Sequence, residues 1–183
     1  MTLSETADKI RALMSDDPSQ PLNLLRLAKA GDRLEGVLNL DLMQRARSLL
    51  TRPEGDVSYC LSFETDAEGR IIISIEIAAE LEMSCQRCLQ PMRVAIARET
   101  GLAAVKDKAA LEGLAAKYEP LLLAEQGQVS LIDLLEDELI LAIPLAPLHE
   151  PEDCSASEDL ERIRAEGKPN PFAELAKLKK TND

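Results

Sequence analysis

The chain has 183 residues, 45% of them hydrophobic and only 2% aromatic, which gives one domain an aliphatic core but almost no rings for stacking on single-stranded bases. Its formal net charge of −12 repels a phosphate backbone unless one face is locally basic, and favours a positively charged protein as partner.

The first twenty residues, MTLSETADKIRALMSDDPSQ, carry four acids and no apolar signal-peptide core. Leu3, Ala7, Ile10 and Leu13 fall at helical spacing, and DDPSQP ends that segment. With no export signal and no apolar stretch long enough to span a bilayer, a reducing cytoplasm is expected, where structural disulfides are rare. Residues 33–40, RLEGVLNL, read as a strand. Asp41 is placed to cap a helix running to Leu50, before Pro53.

Three extended segments follow. Val57, Tyr59, Leu61 and Phe63 alternate with Ser58, Cys60 and Ser62, a period of two that buries one face. Cys60, on the serine face, reads as a small packing residue. After the turn TDAEGR, Ile71, Ile73, Ile75 and Ile77 share one face of a β-branched strand. A third strand runs from Met92 to about Thr100, with CQRCLQP as its connection to the second. These segments predict an α+β fold: an antiparallel β-sheet meander packed with a few helices. The single domain would have flexible N- and C-terminal segments. Its expected parts are an N-terminal helix or flexible segment at 1–20, the core domain at 21–165, and a linker with a docking helix at 166–183.

A helix is predicted near 109–117 and a stronger one from Ser130 to Ile143. Ser130 is the N-cap of the latter, Asp133 follows in a capping-box position, and Pro144 stops the helix. Leu131, Leu134, Leu135, Leu139 and Ile143 should be its buried stripe. A short charged helix near 157–165 and the linker GKPNP precede a last helix from Phe172 to Lys180.

From Glu119 to Glu161 there are twelve acids and no Lys or Arg. Asp133, Glu136 and Asp137 stand at i, i+3 and i+4 with nothing local to neutralise them. They are either a solvated face or a docking face for a Lys/Arg-rich partner. The tail reverses the sign. Pro169, Asn170, Pro171 and Phe172 lead into a segment with Lys177, Lys179 and Lys180, and Phe172, Leu175 and Leu178 offer one apolar face. A helix so short orders only when docked, so the tail is a candidate recognition peptide; the bland alternative is a frayed terminus.

Cys85-Gln86-Arg87-Cys88 is a CxxC pair set between two strands, where a knuckle turn aims both sulfurs at one point. His149, the only histidine, and Cys154 follow about sixty residues later. Three thiols and an imidazole suit a tetrahedral Zn²⁺, and this is the candidate metal set; free reduced thiols with a surface histidine are the bland alternative. A thioredoxin-type redox pair needs the CxxC at a helix N-terminus, which strand flanks do not provide. A direct RNA-binding zinc module would need Arg87, Arg93 and Arg98 to form a free basic face. No Gly-rich phosphate loop, nucleophile elbow or HExxH is present.

The ordered set CQRCLQPM, SLIDLLEDELILAIPLAPLH, Cys154 and KPNPFAELAKLKK resembles the large ribosomal RNA subunit accumulation (YceD) family, as does PLNLLRLAKAGDRLEGVLNL. The resemblance covers roughly residues 20–180. It implies a non-enzymatic role in accumulation of large-subunit ribosomal RNA, in the cytoplasm. The acidic, ring-poor surface points to action through a basic ribosomal protein or a processing factor rather than through a membrane or bare RNA.

Overall fold

The computed structural model describes residues 18–105, 114–123 and 128–165. The helices predicted at 3–14 and 172–180, and all but the last four residues of the one at 109–117, lie outside the described residues; 114–117 are not helical.

Strand β1 (Leu22–Asn23) leads into helix α1 (Leu24–Ala30). The Asn23 side chain caps this helix by accepting from the Arg26 N–H, and Gly31 ends it in the left-handed conformation at φ 65°. Leu24, Leu27 and Ala28 recur at i, i+3 and i+4 and are buried. Strand β2 (Arg33–Asn39) follows as expected.

The helix expected from Asp41 to Leu50 is broken up. Asn39, not Asp41, caps a 3₁₀ turn at Leu40–Leu42, and the α-helical part, α2, is only Gln44–Arg47. A segment this short has too few internal bonds to hold itself and depends on tertiary contacts for its shape.

Strands β3 (Asp56–Thr65), β4 (Ile71–Ser84) and β5 (Pro91–Val105) form the antiparallel meander, and β6 (Glu119–Leu122) extends it. The sheet order is β2-β3-β4-β5-β6, and β6 pairs with β5 in parallel, so the sheet is mixed rather than wholly antiparallel. A two-residue strand β7 (Gln128–Val129) pairs with β1.

The predicted alternation holds along β3 and β4. Val57, Leu61, Phe63, Ile73, Ile75, Ile77 and Leu81 point inward and are buried. Helix α3 (Leu131–Ala142) lies over this face and buries Leu131, Leu134, Leu135 and Leu139 against it. Ser130 Oγ accepts from the Asp133 N–H at 3.2 Å, as the capping pattern requires, and Pro144 forces Ile143 into an extended conformation. Ile143 is half-buried. A 3₁₀ turn at Pro151–Asp153 and helix α4 (Ser157–Ala165) complete the described fold, an α+β domain. No described helix is long and apolar enough to cross a membrane.

Candidate metal centre

The CxxC pair sits in the turn between the two longest strands. The Cys85 N–H donates to the Gln90 carbonyl and the Leu89 N–H donates to the Cys85 carbonyl, both at 2.9 Å, closing a tight knuckle. Leu89 takes the left-handed conformation at φ 62°, an unfavourable state for a branched side chain. Its side chain is 71% exposed, so no burial of its own compensates. Strain of this kind persists where the surroundings over-determine a loop.

The segment holding His149 is stitched to this knuckle by backbone groups. The Gln86 N–H donates to the Pro147 carbonyl at 2.8 Å, and the His149 N–H donates to Cys85 Sγ at 3.4 Å. Arg87 reaches across from between the cysteines. One of its terminal nitrogens donates to the His149 carbonyl at 2.8 Å, and the other to Ser157 Oγ at the start of α4 at 2.9 Å. Cys154 ends the intervening 3₁₀ turn, and its carbonyl accepts from the Ser157 N–H.

The result is convergence. Ligand atoms of Cys85, Cys88, His149 and Cys154 all lie within 4.8 Å of one another, close enough to hold a metal ion. A tetrahedron with Zn–S bonds of ~2.3 Å has edges of about 3.8 Å, so the ligands close by up to about 1 Å around an ion. Cys85 and Cys154 are buried, Cys88 and His149 are half-buried, and all four cysteines of the chain are free thiols.

The electrostatics at Cys85 favour ligation. Burial opposes ionisation of Cys85, but N–H groups of Cys88, His149 and Arg87 directed at its sulfur outweigh that and bring its thiol down to about 5. His149 Nε2 faces the Pro91 carbonyl at 3.2 Å, which can only accept, so Nε2 carries the proton. Nδ1 then presents a lone pair toward Cys88 Sγ, 3.3 Å away. A neutral imidazole oriented through its second nitrogen is the usual form of a metal-bound histidine. The Cys88 sulfur beside it raises the imidazole above its ordinary value. Three cysteine sulfurs and one imidazole nitrogen make a soft donor set suited to Zn²⁺.

The basic residues around the knuckle are committed elsewhere. Arg87 is held by Ser157 and His149. Arg93 pairs with Glu80 at 3.1 Å, and Arg98 pairs with Glu138 at 2.8 Å and Glu119 at 3.3 Å. Arg98 lies on the inner face of β5, and the carboxylate of Glu138 on α3 is buried.

The acidic helix differs from its expected role. Glu136 is 4% exposed and faces the domain, so it is not part of a solvent-facing docking surface. Its carboxylate accepts from the backbone N–H groups of Arg45 and Ala46 at 2.6 and 3.1 Å and from Arg45 Nε at 2.7 Å. It thereby caps α2, which has no side-chain cap of its own. Arg45 also pairs with Asp137 at 2.6 Å. The neutralising charge comes from 91 residues away, beyond the reach of local sequence reasoning. Asp133 and Asp137 remain exposed. Pro169, Asn170, Pro171 and Phe172 lie outside the described residues.

This arrangement has a pH signature. Burial alone would raise Glu136, but the Ala46 N–H and the Arg45 side chain and N–H hold it below its ordinary value of 4.5. A depressed carboxyl contributes its stability fully above pH 4.5 and loses it as pH falls through the folded value. Glu136→Gln is therefore expected to lower stability at neutral pH and to flatten the acid limb of a denaturation series. An acid limb as steep as in the unaltered protein would show that Glu136 is not the titrating cap.

The sequence profile described as large ribosomal RNA subunit accumulation protein YceD matches residues 73–179. That span takes in the knuckle, α3, the His149 loop and α4. A Haemophilus influenzae protein named Large ribosomal RNA subunit accumulation protein YceD is 32% identical over 166 residues, covering 87% of this chain and 95% of its own length. No solved structure gives a significant match.

Proposed function

The chain belongs to the YceD family, and on that premise we propose that it is a non-enzymatic factor for accumulation of large-subunit ribosomal RNA in the cytoplasm, acting by binding a basic protein. The observation that carries this reading is the match to the Haemophilus relative along 95% of that protein's length. The partner class follows from charge. A chain at −12 attracts Lys/Arg-rich proteins and repels bare RNA, so its effect on RNA runs through a ribosomal protein or a processing factor. Zn²⁺ at Cys85, Cys88, His149 and Cys154 has a structural part in this reading: it ties the His149 loop and α4 to the sheet hairpin. The segment from Pro169 to Phe172, with its downstream lysines, is a second candidate contact.

A thiol redox protein is the weaker alternative, because Cys85, the thiol with the depressed value, is fully buried and out of a substrate's reach. An RNA-binding zinc module is weaker because Arg87 is hydrogen-bonded to Ser157 and the His149 carbonyl, and Arg93 and Arg98 pair with carboxylates of the same chain.

Deleting the gene in the source organism is expected to lower mature large-subunit ribosomal RNA relative to small-subunit RNA, with restoration by the intact chain. Unchanged ratios, during growth in the cold as well as at the optimum, would overturn the reading.

A further inference from the structure

The sheet's outer face has no helix over it among the described residues, and its register arranges the side chains in rows. The central row runs across four strands as Val37, Ser58, Ala78 and Ala97, each opposite the next. All four are exposed, Val37 at 63%. Two residues along the strands on one side stand Glu35, Glu76 and Glu99, in register with one another through Cys60. Two residues along on the other side stand Asp56 and Glu80. Small side chains thus floor a trough between the two rows, and a hollow of about 500 Å³ on its Glu76 and Glu99 side is lined by Ser58, Cys60, Ala78 and Ala97.

The dimensions select the occupant. Two residues of strand span about 6.7 Å, so the acidic rows are about 13 Å apart, which admits an α-helix with its side chains at 10–12 Å. Four strands at about 4.8 Å spacing give a floor of about 14 Å, or some ten helical residues. We propose that this trough is a docking site for a basic amphipathic helix of a protein partner, lying across the strands with a small apolar face down and Lys/Arg side chains reaching both acidic rows.

The charge balance agrees. Glu35 has Arg33 at 3.7 Å and Glu80 has Arg93 at 3.1 Å, both pairs exposed. Glu76 and Glu99 form no ion pair among the described residues and stand directly opposite each other. Like charges in that position destabilise a sheet, and a cationic side chain set between them relieves the repulsion. This inference deepens the proposed function and rests on it for the identity of the partner class, but not for the site itself.

The test uses the full chain and a synthetic Ala/Lys helix with lysines flanking an alanine face, together with a counterpart bearing Glu in place of Lys. The unaltered protein should bind the Lys peptide. The double variant Glu76→Lys/Glu99→Lys should bind it about tenfold or more weakly and gain affinity for the Glu peptide. Glu158→Lys/Glu161→Lys, an equal change of net charge on exposed positions of α4, should bind as the unaltered protein does. Far-ultraviolet circular dichroism and melting confirm that each variant is folded. Equal loss in both variants would reduce the effect to net charge and overturn the site. Failure of the unaltered protein to bind the Lys peptide would overturn it too. Failure of the ribosomal role appears instead in the RNA ratios of the deletion strain, independently of peptide binding.

Discussion

Cys85→Ser is expected to strip zinc from the protein and to release the C-terminal part of the described fold from the sheet. Intact protein, purified without chelator, should carry near-stoichiometric zinc by elemental analysis. Cys85 Sγ is the hub of the site: it is fully buried and is approached by the N–H groups of both Arg87 and His149. Losing it removes a ligand and the acceptor that anchors the His149 segment. An ion that binds only the folded state at a thousand times its dissociation constant adds about 4 kcal/mol of stability, and chelation should remove a comparable amount. The sheet has its own apolar core, so the metal-free protein should keep its strands while amide exchange rises at His149, Cys154 and along α4. Cys60→Ser is the matched control. Cys60 lies in the middle of β3 on the outer face, away from the other three cysteines, and its replacement should leave the zinc content unchanged. Identical melting with and without chelator, together with no metal in the native protein, would refute the site.

Leu135→Ala should cost about 2–5 kcal/mol. Leu135 is fully buried at the centre of the face that α3 lays on the sheet, one turn from Leu131 and Leu139. Its removal leaves a cavity between a helix and a sheet whose spacing is fixed by neighbouring leucines, so collapse is limited and the upper half of the range is expected. At about 2–4 °C per kcal/mol for a domain of this size, the melting temperature should fall by roughly 7–20 °C. The same substitution has a second consequence. Glu136 and Glu138 are held in place by the packing of α3, and they bond Arg45 and Arg98 on opposite sides of it. Loosening the helix therefore weakens the cap on α2 as well, and α2 amides should exchange faster. A melting temperature within about 2 °C of the unaltered protein would mean that α3 does not pack as described.

Local signals carried much of this fold. The period-two alternation of Val57 to Phe63 and Ile71 to Ile77 marked both strands and their buried face, because side-chain direction in a strand is set residue by residue. Ser130, Asp133 and Pro144 marked both ends of α3 for the same reason: caps and prolines act within one turn. The CxxC residue types, with one histidine and one further cysteine, named the metal set. Helix α1, absent from the expected elements, carries equally local signals in Asn23, Leu24, Leu27, Ala28 and Gly31.

Tertiary structure decided the remainder. Whether His149 and Cys154 would reach Cys85 depended on bonds such as Gln86 to Pro147 and Arg87 to Ser157, which close a loop of about sixty residues that no spacing rule specifies. Glu136 looked like a solvated acid because its partner, Arg45, lies 91 residues earlier and the cost of burying a charge is met only once that partner is in place. The acidic rows beside Ala78 came from register. Glu35, Glu76 and Glu99 are scattered in sequence, and only hydrogen-bonded pairing of separate strands sets them in one line. Residue types and local periodicity are properties of a short stretch of chain; convergence, charge pairing and row formation are properties of which stretches meet.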